Sequence, residues 1–97
     1  MALLSYTITL GAAAAPPFDT ELHAAFVRIE NGDGNALVKY GGSTLSAADY
    51  AGSVPADTAT ISNAVTLGPF PAAIISVHRL YFLGAAGQKV HLTVITQ

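Results

Sequence analysis

Three histidines, His23, His78 and His91, are the residues best suited to metal or proton chemistry. Two imidazoles one residue apart on a strand, or four apart on a helix, converge on a metal; these three have neither spacing. His78 and His91 are expected to flank one turn and to face each other across it, but no third ligand accompanies them, and zero cysteines exclude thiolate sites. Asn31-Gly-Asp33-Gly-Asn35 opens like a calcium loop, in which alternating oxygens surround a hard cation. The pattern then fails. Its sixth position is Ala36 rather than glycine, and its twelfth is Gly42 rather than a bidentate glutamate. Gly42-Ser43-Thr44 has no following helix and no nucleophile elbow, and Gly84-Ala-Ala-Gly87 is placed between strands, where it cannot cap a phosphate-binding helix. The expectation is no enzyme, no cofactor and no metal site.

Stepping outward to the elements, period-two alternation dominates. Leu4, Tyr6, Ile8 and Leu10 alternate with Ser5, Thr7 and Thr9, which predicts a half-buried strand with its threonines outward. Leu22 to Glu30 reads as one strand with Ala25, Val27 and Ile29 on one side. Asn31-Gly-Asp-Gly signals a hairpin into a strand over Ala36 to Tyr40. Gly41 to Asp57 reads as a long surface loop. Thr58 to Leu67, Ala72 to Val77, Arg79 to Leu83 and Lys89 to Thr96 follow as strands, the last two joined as a second hairpin through Gly84–Gly87. Ala12 to Ala15 runs into Pro16-Pro17, which opposes a helix. The fold class is all-β: one small domain over residues 1–97, a β-sandwich or jelly-roll-like arrangement of six to eight short antiparallel strands. Residues 1–18 are a candidate extended N-terminal arm.

The 97-residue chain is 52% hydrophobic and 10% charged, against about 25% charged in an ordinary soluble domain. Surface is therefore expected to be covered by protein. No apolar stretch approaches the roughly 20 residues of a membrane span, and the N-terminal segment lacks the basic start of a secretory signal. Arg28, Lys39, Arg79 and Lys89 are scattered and the net charge is −2, so nucleic acid is not an expected partner. The Pro-bracketed Phe70 is a rigid apolar knob suited to a partner's pocket, and the N-terminal segment can add to a neighbouring sheet. Leu3, Leu4, Tyr6, Phe18 and Phe70 are the expected partner-binding residues.

Three stretches carry a family resemblance: Tyr40-Gly-Gly-Ser-Thr-Leu-Ser46, Val65-Thr-Leu-Gly-Pro-Phe70 and Leu80-Tyr-Phe-Leu-Gly-Ala-Ala-Gly-Gln-Lys-Val-His91. Together, over residues 25–95, they resemble small virion proteins of tailed bacteriophages, including head decoration (cement) proteins. The resemblance implies a β-sandwich trimer on the capsid exterior that clamps and stabilises the major capsid protein. A tail or fibre accessory protein is the alternative, and a lectin-like carbohydrate-binding module a further one. No functional residue transfers by motif.

Overall fold

The computed structural model describes residues 2–32, 37–46, 48–55 and 63–96. The described residues form nine antiparallel strands and one 3-10 turn, Val77–Arg79. The long sheet contains β1 (Leu3–Thr9), β3 (Phe26–Asn31), β6 (Ala64–Leu67) and β9 (Lys89–Ile95) in the order β1-β9-β3-β6. A second sheet runs β5 (Gly52–Val54), β4 (Val38–Gly41), β8 (Tyr81–Leu83), and β2 (His23–Ala24) pairs with β7 (Ile75–Ser76). The small all-β class is as the sequence indicates. The strand count exceeds the expected six to eight because β2 and β7 are two-residue pieces.

One core joins the sheets in a sandwich-like arrangement. Val27, Ile29, Val90, Leu92 and Val94 of the long sheet meet Val38, Val54 and Phe82 of the second. Alternation dictates this placement: successive residues of a strand point to opposite faces, so Val90, Leu92 and Val94 are buried while Lys89 and His91 are exposed. Leu4, Tyr6 and Ile8 pack inward against the core, and Ser5, Thr7 and Thr9 point out, as the sequence predicts. Tyr40 lies opposite Gly52, and its ring covers the space that a side chain at that glycine would occupy.

Several expectations change. Leu22–Glu30 is not one strand: Ala24 and Val27 are both fully buried, an odd spacing that requires a break. The break falls at Ala25, whose N–H bonds to Ile95 O and whose carbonyl accepts from Phe70 N–H. Neither hairpin forms. β3 pairs with β9 and β6, whereas β4 pairs with β5 and β8, so the chain passes from one sheet to the other between β3 and β4 and again between β8 and β9. Residues 33–36, the centre of the first turn, lie outside the described residues, as do residues 58–62 of the predicted Thr58–Leu67 strand. The predicted loop 41–57 contains β5, and Leu45 and Val54 in it are buried.

Nor is the N-terminal segment an extended arm. β1 pairs over its whole length with β9 of the same chain, from Leu3↔Ile95 to Thr9↔Lys89. Beyond it, Leu10 exchanges backbone bonds with Gly87 and Gln88, and Ala15 bridges to Phe82 on the edge of the second sheet. The segment is a strap from one sheet to the other. Its ladder is made with β9 of the same chain, on one side of the strand, and β1 forms an edge of the long sheet.

Candidate interaction surface

Partner contact requires apolar side chains that the fold itself leaves uncovered. Cross-strand register locates them. The outer face of the long sheet consists of rows of directly opposed residues: Ser5–Thr93–Arg28–Thr66, then Thr7–His91–Glu30–Ala64, then Thr9–Lys89. Apart from Ala64 these rows are polar, and their side chains bond to one another. Arg28 donates to Glu30 at 2.8 Å, Lys89 donates to Thr9 Oγ1 at 2.6 Å, and Thr7 Oγ1 lies 3.0 Å from His91 Nδ1. The remaining row is Leu3–Ile95–Phe26. It is wholly apolar, and Leu3 is 69% exposed. Phe70, 40% exposed, joins this end through its backbone, because its N–H donates to Ala25 O at 2.8 Å beside Phe26. Gly68, with φ +93, makes that approach feasible: a Cβ there would sit 2.5 Å from Ala25 O.

The five predicted partner residues thus divide. Leu3 and Phe70 lie at the exposed apolar end. Leu4 and Tyr6 face inward and pack on the core. Tyr6 meets Phe18 with ring centroids 5.0 Å apart and planes tilted by 51°. These two rings, with Leu22, Thr20 and Glu21, line an open groove of about 300 Å³. Ile95 and Phe26 were not singled out from sequence. Both are half-buried, and their place beside Leu3 on the outer face follows from register across three strands, which alternation within one strand cannot reveal.

The histidines group differently from expectation. His78 is in the 3-10 turn, and its ring stands edge-on to His23 at 5.5 Å, whereas His91 bonds to Thr7 on the opposite side of the sequence pairing. His78 Nδ1 accepts the Leu22 N–H at 3.2 Å. His23 Nε2 contacts Glu21 Oε1 at 2.9 Å, and its Nδ1 lies 3.4 Å from Ser76 Oγ. The hydrogen bond from His23, reinforced by the charges of His23, His78 and Arg79, holds the Glu21 carboxyl below its ordinary 4.5. Carboxylate, imidazole and hydroxyl in line are the residue types of a nucleophilic relay. Activation of a serine, however, requires a base within about 2.6–3.2 Å, and the Ser76 contact is longer. Among the described residues no group of three potential ligands could hold a metal.

Asn31, first residue of the calcium-like run, is completely buried and committed elsewhere. Its Nδ2 donates to Val54 O and Pro55 O, both at 3.2 Å, and its Oδ1 accepts from Gln88 Nε2 at 3.1 Å. That oxygen is turned inward and does not present itself to a cation. Sequence reasoning missed this buried Asn31–Gln88 pair because both residues sit in turn-like contexts that read as solvated.

Compared with known proteins, the chain matches no family model, no curated sequence and no solved structure.

Proposed function

We propose that this chain is a non-catalytic structural protein that assembles through the Leu3–Ile95–Phe26 end of its long sheet, with Phe70 as a flanking anchor. The observation that carries the reading is that row: three apolar residues aligned on an outer face whose other rows are polar. Ile74, 64% exposed, adds a further uncovered apolar side chain. With only ten charged side chains, and exposed ion pairs worth at most about 1 kcal/mol each, apolar contact is the main attraction available. The resemblance to phage decoration proteins supplies the setting: a homotrimer on the capsid exterior, bound to the major capsid protein. A tail or fibre accessory protein would use the same surface. The lectin-like alternative draws on the Tyr6–Phe18 groove.

Sedimentation of the purified protein at micromolar concentration tests assembly. A multimer is expected, and Leu3→Ser and Phe70→Ser are each expected to shift it toward monomer with little loss of stability. A folded monomer that persists at high concentration would refute self-assembly. In an intact particle, a copy number near that of the major shell protein supports decoration, and a few copies support the tail.

A further inference from the structure

The groove of Tyr6, Phe18, Thr20, Glu21 and Leu22 has a chemistry of its own, separate from the apolar end. Its floor is two aromatic rings and a leucine. The rings contact each other at 51°, so they do not offer the single flat platform on which a sugar ring would stack. A carboxylate stands at the rim, with its side chain 74% exposed. Glu21 is the acid among the residues that line the groove, and its Oε1 lies 2.9 Å from His23 Nε2.

We infer that this groove receives a basic side chain of a partner protein, the aliphatic stem lying along Tyr6, Phe18 and Leu22 and the cationic head held at Glu21. Lysine and arginine stems cover apolar surface while their heads remain at a polar rim. Aromatic faces attract a cation within about 6 Å, and a carboxylate beside them completes the complementarity. Within this chain the same pairing already occurs: Lys39 Nζ lies 4.6 Å from the centroid of the Tyr50 ring. The inference goes beyond the shell-protein reading and does not rest on it, since any partner with an accessible basic side chain would fit.

The test is an amide-shift titration of the intact protein by NMR with Nα-acetyl-lysine methylamide. Nα-acetyl-norleucine methylamide serves as the uncharged match and methyl glucoside as the sugar probe. Saturable shifts at Thr20, Glu21 and Leu22 are expected with the lysine compound, in the millimolar range typical of a single side chain. Binding should weaken roughly fivefold for norleucine and in Glu21→Gln, as expected for loss of one cation contact. Phe18→Leu, which removes the ring but keeps an apolar side chain against the core, should also weaken it, with circular dichroism confirming that the variant is folded. Equal affinity for the norleucine compound, an unaffected Glu21→Gln variant, saturation by the glucoside alone, or no saturable shift would each overturn the proposal.

Discussion

Replacing Gln88 by methionine keeps the side-chain volume and removes both amide atoms from a fully buried position. At least two partners are then affected. Asn31 Oδ1 loses the donor at 3.1 Å inside the core, and the Ala85 N–H loses the Oε1 acceptor at 2.9 Å. A buried polar atom deprived of its partner costs about 1–3 kcal/mol. Ala85 is exposed, so water can replace its acceptor and the loss there is about 1 kcal/mol or less. The sum is roughly 1–4 kcal/mol, a large share of the ~5–15 kcal/mol that holds a typical domain. At about 4–8 °C per kcal/mol for a domain of this size, the midpoint should fall by roughly 5–30 °C. Urea unfolding followed by circular dichroism measures it, with an unchanged slope as the sign that stability alone moved. A companion change, Asn31→Leu, strips donors from the Val54 and Pro55 carbonyls. The double variant should be less destabilised than the sum of the singles by about 1 kcal/mol, because the two amides are direct partners. Gln88→Met within about 0.5 kcal/mol of the parent, the range of ordinary surface substitutions, would refute the view that this buried pair stabilises the core.

Other outcomes follow from single observations. Gly68→Ala should cost roughly 2 kcal/mol, since its positive φ disfavours any L side chain and the added Cβ would press on Ala25 O; no loss in urea unfolding would contradict that geometry. Glu21 titrates below its ordinary 4.5 in the folded chain, so its contribution is present in full above that pH and is lost as pH falls through the lowered value. The stability difference between parent and Glu21→Gln should accordingly shrink between about pH 5 and pH 2; a gap independent of pH would exclude the Glu21–His23 contact. A chelator should leave the thermal transition unchanged, whereas a large drop reversed by calcium would overturn the inward placement of Asn31.

How much of this was legible in the sequence depends on how many positions an element offers. β1 and β9 are seven residues long, enough for alternation to mark both the inner and outer residues. β5 has three residues and β2 and β7 two each, too few for a period to register, which is why residues 41–57 carry no strand signal. Turn chemistry misled in another way. A glycine-rich sequence such as Asn31–Gly34 or Gly84–Gly87 permits a chain reversal but does not say which strand the chain joins next. Here it goes to the opposite sheet, a choice made by the nonlocal pairing of β9 between β1 and β3. The interaction surface was half visible. Leu3 and Phe70 stood out as apolar residues in the N-terminal segment and between prolines. Ile95 and Phe26 join Leu3 only through register, and Leu4 and Tyr6, equally apolar in sequence, belong to the inner face.

The same register also answers whether the apolar row is merely a by-product of strand formation. A strand needs β-branched or aromatic residues for its backbone preference, not hydrophobicity on the solvent side. Positions equivalent to Leu3 on β1 are Ser5, Thr7 and Thr9, and the position equivalent to Ile95 on β9 is Thr93, all polar and all compatible with the sheet. Threonine at positions 3 and 95 would satisfy the pairing equally well. The inner row beside it, Leu4–Val94–Val27, already closes the core at this end. Leu3 therefore contributes apolar surface that the fold does not require, on a strand edge carrying no charged residue to discourage contact, with the half-buried Ile95 and Phe26 beside it. An exposed leucine where threonine would serve the sheet equally well is the surface through which the proposed assembly would act.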